Sequence, residues 1–459
     1  MQIPQGVTAV IGLGVSGRAI CRHLARRGVP FALLDTRPAP PGLEAFKALY
    51  PTAPIHCGPL DEVDFSRAFE VVISPGVDPF TRGLEGLLDE INDATGEPRL
   101  VGEIALFKRA VTAPIAAITG ANAKSTVTTL LGEMARAAGV DAAVGGNLGT
   151  AALELLDTRP DAELYILELS SFQLETTPHL GAAAAAFLNL SEDHLDRHGT
   201  LTGYRQAKAR IFNGAEHIVV NADDPLTAPP TATRAQVAYF GRRAHETGQW
   251  GVERADGRQW LAHGSERLVA VDCLNLTGQH NYLNALAALA LGEALGFARE
   301  AMVRALVAFR GLPHRSETID TLGGVRFVND SKGTNVGATL AAIEGIGPTL
   351  EGQLVLLAGG VGKGADFTAL AAPLARYARE VLVFGKDAPR LKAALEGFVS
   401  VREVDTLEQA LETAQTLARP GDCVLLSPAC ASLDQFANYE ARGEAFRAWV
   451  QRKRSEGEA

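Results

Sequence analysis

Short runs of apolar and β-branched residues alternate with alanine- and leucine-rich stretches along the whole chain. They are Val7–Ile11, Phe31–Leu34, Val71–Ser74, Ile115–Thr119, Tyr165–Leu169, Ala184–Leu190, Ile218–Asn221, Val325–Asn329, Leu354–Ala358, Val381–Phe384 and Val424–Ser427. Parallel strands need long crossovers, usually helical, so this alternation predicts an α/β protein with parallel sheets covered by helices on both faces. It also says where chemistry belongs. In such sheets ligands bind beyond the carboxyl ends of the strands, in the turns that follow.

At ~100–200 residues per domain, 459 residues allow two to four domains, and three fits the breaks. Arg99–Ala113 leads from the first αβ unit into the strand at Ile115, and Arg310-Gly311-Leu312-Pro313 precedes a further set of strands. Domains are expected at 1–105, 106–311 and 312–459. The polar stretch Pro225–Glu266 reads as peripheral loops and short strands. With 53 acidic against 43 basic side chains and a net charge of -10, broad binding to nucleic acid or an anionic membrane surface is disfavoured, because both need clustered positive charge. A small anion in a local pocket is not. Cys21, Cys57, Cys273, Cys423 and Cys430 form no CxxC pair and leave an odd thiol, so neither a zinc site nor a disulfide framework is indicated and a reducing compartment fits. No apolar run approaches the ~20 residues that cross a bilayer, and the chain starts as a strand, turn and helix. A cytoplasmic monomer without membrane insertion is expected.

Two glycine-rich turns carry the chemistry. Gly12-Leu13-Gly14-Val15-Ser16-Gly17 follows the first strand and opens a helix, and Asp35 ends the second strand. Glycines there allow close backbone approach to a diphosphate, and the acid is placed for ribose hydroxyls. NAD and a UDP-sugar satisfy this equally. The second turn, Gly120-Ala121-Asn122-Ala123-Lys124-Ser125-Thr126, lies between the strand Ile115–Thr119 and a helix. Backbone N–H groups at such a helix start surround phosphate, Lys124 neutralises β/γ oxygens and the following hydroxyl binds Mg²⁺, so ATP is the natural occupant. A full Walker loop has glycine where this chain has Ile118 and Ala123. Beyond the next strands stand Glu168, then Asp193 and His194. Glu168 can give a hard cation an oxygen ligand, and His194 can meet a second cation or a phosphoryl oxygen.

These segments resemble the Mur ligases of peptidoglycan synthesis, in their D-glutamate-adding branch. The resemblance runs from GLGVSG through ITGANAKSTVTT, LELSSFQLETT, NLSEDHLDRH, GQHNYLNALAALAL and GLPHR to NDSKGTN, GGVGKGADF and LSPACASLDQFANYEARG, the last three being the most discriminating. It implies a Rossmann-like N-terminal domain for a UDP-sugar, a central P-loop ATPase domain and a C-terminal domain of dinucleotide-fold topology. The UDP-substrate then meets Val15, Ser16, Asp35, Thr36, Arg37, Pro75, Gly76 and Asn147. ATP meets Gly120, Asn122, Ala123, Lys124, Ser125, Thr126, Asn284, Arg315 and Asp330. Two Mg²⁺ ions are implied, on Ser125, Glu168, His194 and Lys208, with Lys208 converted by CO₂ into a carbamate. Composition alone makes Lys208 a solvated helix lysine. D-glutamate falls to Lys332, Thr334, Lys363, Ser432 and the backbone at Tyr439.

The activity implied is an ATP-dependent amide ligase joining D-glutamate to UDP-N-acetylmuramoyl-L-alanine through an acyl phosphate, with Lys124, His194 and Lys208 as the catalytic set. Another ATP-dependent amide ligase (a folylpolyglutamate synthase relative or a Mur ligase adding a different amino acid), a nicotinamide oxidoreductase and an inactive nucleotide sensor are the alternatives. Two positions depart from the family pattern. Ala123 replaces a glycine, so either no positive φ is needed there or ATP binding is weakened. Tyr439 replaces a phenylalanine, with little effect expected if its contact is through the backbone. Closure of the third domain about Arg310–Pro313 is expected during turnover.

Overall fold

The computed structural model describes residues 1–243, 248–276 and 278–458. Three sheets follow one another along the chain. The first contains β1 (Thr8–Ile11), β2 (Phe31–Asp35), β3 (Ile55–Cys57) and β4 (Val71–Ile73). After a two-residue ladder of β5 (Ile91–Asn92) with β6 (Glu97–Pro98), it is completed by β7 (Leu100–Gly102). Its order is β3-β2-β1-β4-β7 and every pairing is parallel. The order reverses between β1 and β4, which opens a crevice where the Gly12 turn and the Pro75-Gly76 loop meet. Ser74 Oγ donates to Gly12 O at 3.1 Å there.

The second sheet has the order β16-β15-β14-β13-β12-β11-β8-β10-β9. Its parallel part comprises β8 (Ile115–Thr119), β9 (Ala142–Gly146), β10 (Leu164–Glu168), β11 (Ala184–Phe187), β12 (His217–Asn221) and β13 (Gln236–Phe240). β14 (Trp250–Ala255), β15 (Arg258–His263) and β16 (Glu266–Ala270) extend it as an antiparallel meander. The stretch Pro225–Glu266 is therefore not all peripheral. β13 pairs along its length with β12, while residues 244–247 of that stretch lie outside the described residues. β8 lies between β10 and β11, so the loops after these three strands converge at one reversal of strand order.

The third sheet, ordered β17-β18-β22-β19-β20-β21, contains β17 (Glu317–Leu322), β18 (Val325–Asn329), β19 (Leu354–Gly359), β20 (Ala378–Phe384), β21 (Val401–Glu403) and β22 (Cys423–Leu426). Only β17 runs antiparallel to its neighbour. The central strands of all three sheets are buried on both faces, as sheets covered by helices on both sides require. One apolar core runs from Val10 through Phe107, Leu153 and Tyr165 to Val220, joining the first two sheets through the helices Val15–Arg26, Glu103–Ala110 and Ala152–Thr158. The third sheet has a core of its own on each face. Among the described residues no helix is long and apolar enough to cross a membrane.

Candidate active site

The turn after β8 ends at Ala123, which caps the helix Lys124–Ala137 at φ 68° and ψ -8°. Of the two alternatives for this alanine, the one without positive φ falls: the loop takes the left-handed turn a glycine would favour, with a Cβ present. No side chain caps this helix start, so its first N–H groups remain for an anion. Lys124 Nζ folds back onto Gly120 O (2.9 Å) and Ala121 O (3.0 Å). Burial lowers its pKa, Arg315 adds to this and Glu168 opposes it. Ser125 Oγ donates to Glu168 Oε2 at 2.6 Å and accepts from Arg315 Nη2 at 2.7 Å. Asn147 Nδ2 holds the other Glu168 oxygen at 2.8 Å.

Lys208 lies on the helix Leu201–Ala209 and is 1% exposed. Its Nζ donates to Gly120 O at 2.8 Å and sits 4.7 Å from the Tyr204 ring centre. Burial, reinforced by Lys124, holds its pKa well below the lysine range. The solvated lysine that composition suggests is thus a buried amine beneath the phosphate loop. His194 adopts φ 54° and stands edge-on to Phe172, with ring centres 4.8 Å apart. Burial lowers its pKa despite neighbouring Asp193.

Do these donors suit a cation? Ser125 Oγ and the Glu168 carboxylate are hard oxygen donors in contact at the mouth of a phosphate-binding helix, which suits Mg²⁺ held largely by phosphate and water. Among the described residues no three His, Cys, Asp or Glu side chains cluster as a self-sufficient metal site. A cation here must therefore draw further ligands from its substrate.

The third sheet faces this loop across a cavity of about 620 Å³. Asp330 Oδ1 accepts from Ser316 N at 3.0 Å and Oδ2 from Ser427 Oγ at 2.7 Å. Burial raises its pKa to about 6. Lys332 Nζ is 3.9 Å from the Tyr439 ring centre, and burial, with Arg315 and Lys124 nearby, pushes its pKa down to about 8. The Tyr439 ring is thus a partner of Lys332, a contact the sequence reading missed; its carbonyl accepts from Ser331 Oγ at 2.8 Å. Lys363, at φ 50°, brings Nζ to 3.8 Å from Asp193 Oδ1.

Every ATP-side candidate except Gly120 lines this cavity, as do Glu168, His194, Asn147, Lys332, Thr334 and Lys363. Lys208 donates to Gly120 O of the phosphate loop, while buried Ser432 and half-buried Tyr439 do not line the cavity. The remaining UDP candidates form a separate group at the carboxyl edge of the first sheet. Val15 is exposed there, whereas Asp35 is 1% exposed. The Asp35 carboxylate accepts from Leu13 N at 2.7 Å and clamps Arg37 through Nε and Nη2, both at 2.8 Å, so it shapes the glycine turn and aims Arg37.

Sequence reasoning missed Arg442 altogether. Fully buried, it donates to Ser331 O (2.9 Å), Cys430 O (3.1 Å) and Gly359 O (3.3 Å). It thereby gathers the segments that follow β18, β19 and β22 and carry Lys332, Lys363 and Ser432. No local sequence pattern marks a buried arginine.

A helix start suited to phosphate on one domain, faced by cations from another, is the arrangement of a nucleotide-dependent group-transfer enzyme. Comparison with known proteins narrows the class. The Mur ligase MurD-like N-terminal domain matches residues 6–91, the Mur ligase middle domain 118–292, and the Mur ligase glutamate ligase domain 314–430. The chain belongs to the Mur ligase family. It is 61% identical to a UDP-N-acetylmuramoylalanine–D-glutamate ligase of Chromohalobacter salexigens, over 98% of both chains. It is 51% identical to the Pseudomonas aeruginosa protein of that name, over 95% of this chain and 96% of the other. Among solved structures, the MurF ligase of Thermotoga maritima in complex with ADP matches with a TM-score of 0.61 at 16% identity, over 98% and 96% of the two chains. MurC of the same organism gives 0.58 at 18%, over 98% and 99%. Both show the shared fold.

Proposed function

We propose that this chain joins the amine of D-glutamate to the L-alanyl carboxylate of UDP-N-acetylmuramoyl-L-alanine, converting ATP to ADP and phosphate in peptidoglycan precursor synthesis. The observation that carries the reading is the single cavity in which Lys124 and Ser125 face Arg315, Lys332 and Lys363. The relatives' shared name gives the substrates.

A carboxylate does not acylate an amine until its oxygen becomes a leaving group. Transfer of the γ-phosphoryl to the L-alanyl carboxylate makes an acyl phosphate. The D-glutamate amine attacks it, and the tetrahedral intermediate collapses to amide and phosphate. The helix start after Ala123 and Lys124 hold the triphosphate and offset charge on the transferring group. Arg315 reaches the same place from the third domain, while Asn284 and Asp330 hold the nucleoside. Lys332, Lys363, Thr334, Ser432 and the Tyr439 backbone replace the water that two carboxylates lose. Val15, Ser16, Thr36, Arg37, Pro75, Gly76 and Asn147 hold the UDP-substrate, and Asp35 acts on it through Arg37.

Ser125 and Glu168 would hold one Mg²⁺, and His194 with a Lys208 carbamate a second; when bound, the ions supply charge neutralisation at the phosphoryl oxygens. A neutral buried amine is what carbamate formation requires: nitrogen adds to CO₂, a proton leaves, and an anion replaces the buried amine. We read the domain limits as 1–105, 106–311 and 312–459, and the protein as a cytoplasmic monomer acting on small molecules.

ADP release with UDP-N-acetylmuramoyl-L-alanine should depend on D-glutamate and not on L-glutamate, L-lysine or meso-diaminopimelate. Equal stimulation by another of these would overturn the substrate assignment. Lys124→Ala should lower ADP release at least ~10²-fold while sparing UDP-substrate binding. Lys208→Ala should be similarly impaired and partly restored by acetate; a loss that no small carboxylate restores counts against the carbamate.

A further inference from the structure

The helix Val336–Ile346 starts where the third domain meets the second. Asn335 caps it: Oδ1 accepts from Ala338 N at 2.9 Å. The other half of the same carboxamide crosses the cleft, Nδ2 donating to Asn122 Oδ1 and to Asp193 Oδ2, both at 3.2 Å. Asn122 belongs to the phosphate loop, and its Nδ2 returns toward Asn335 Oδ1 at 3.4 Å. Asp193 presents its other oxygen to Lys363. Two residues further on, Gly337 lies so close to the second domain that a Cβ would stand 2.6 Å from Ser191 Oγ.

Only an amide serves both sides. A carboxylate would keep the cap but lose the donor and face Asp193 with like charge; an alanine would lose cap and donor together. We propose that Asn335 is a positioning residue that sets the register of the third domain on the phosphate loop and so couples Asn122, at the nucleotide, to the placement of Lys363. The identity of the amino acid at Lys363 rests on the ligase reading. The register itself does not.

Asn335→Asp is the direct test, because it retains the capping acceptor. Its melting temperature should stay near the parent's, its radius of gyration by small-angle scattering should increase, and kcat/KM for D-glutamate should fall on the order of tenfold, mainly through KM. Adding Asp193→Asn restores a donor opposite an acceptor and should recover both the compact radius and most of the lost kcat/KM. Gly337→Ala favours the helix yet forces its start away from Ser191, so it should open the cleft too. Unchanged radius and kcat/KM in Asn335→Asp and Gly337→Ala would overturn the proposal, as would a double variant no better than the single one. A parent protein that releases no ADP with D-glutamate would remove the ligase reading while leaving the scattering comparison to decide the register.

Discussion

The joint between the first and second domains and the joint between the second and third are built differently. At the first, the helix Glu103–Ala110 crosses the limit between the two domains: its Phe107 stands edge-on to Tyr165 with ring centres 5.2 Å apart, inside a core that continues from one sheet to the other. Glu103 reaches from the same helix to accept from Leu153 N at 3.0 Å. At the second, polar contacts bridge the cleft: Arg315 to Ser125, Asn335 to Asn122 and Asp193, Lys363 toward Asp193. Shared apolar area contributes ~25 cal/mol per Å² and is lost only when the core opens. Polar contacts exchange for contacts with water at about 0.5–1.5 kcal/mol each. On this contrast the first two domains should move as one platform, with the third closing on it during turnover to exclude water.

The largest expected effects break each joint's own support. Phe107→Ala removes a fully buried ring and should destabilise by about 3–5 kcal/mol, lowering one calorimetric transition common to the first two domains. Arg442→Ala leaves the carbonyls of Ser331, Cys430 and Gly359 without their buried donor. About 1–3 kcal/mol per stranded carbonyl should be lost, this time only from the transition of the third domain. Equal displacement of all transitions by both variants would erase the distinction between the joints.

A smaller effect sharpens the adjustable side. The pKa of Lys332 is pushed down to about 8 by burial, below its unfolded value, so its contribution to stability is fully present only above the unfolded value and is lost as pH falls through 8. At neutral pH the desolvated ammonium therefore opposes folding, and a bound carboxylate offsets that. KM for D-glutamate should rise as pH passes above 8 and the charge disappears, approaching about tenfold per unit. Lys332→Arg keeps its charge and should flatten the rise. A rise of equal slope in that variant would place the titration elsewhere.

How far the sequence reveals these joints depends on the range of the contacts. β8 is legible residue for residue because a strand buried on both faces reads as a nearly unbroken apolar run, and β18 because Val325, Phe327 and Val328 mark it despite Arg326. β3, β7 and β21 have three residues each, too few to show a period, and β13 lies in a proline-containing polar stretch. The phosphate loop was legible because turn chemistry is local. Asn335 and Asn122 are 213 residues apart, and Arg442 and Ser331 are 111 apart; nothing near either residue names its partner. Lys208 shows the limit most clearly, since its segment reads as a solvated helix until the fold puts the Thr119–Gly120 turn over its amine.

The smallest effect concerns Ala123, on the fixed side. A left-handed alanine costs roughly 1–2 kcal/mol, partly offset in any comparison with glycine by the greater freedom glycine has in the unfolded chain. The φ of 68° belongs to the turn that starts the helix Lys124–Ala137, which assigns the strain to folding rather than to binding. Ala123→Gly should therefore stabilise the second domain by about 0.5–1 kcal/mol in denaturant unfolding, while KM for ATP stays within about twofold. A markedly lower KM with unchanged stability would mean that nucleotide binding itself imposes the strain, and the loop would then belong with the adjustable side of the molecule.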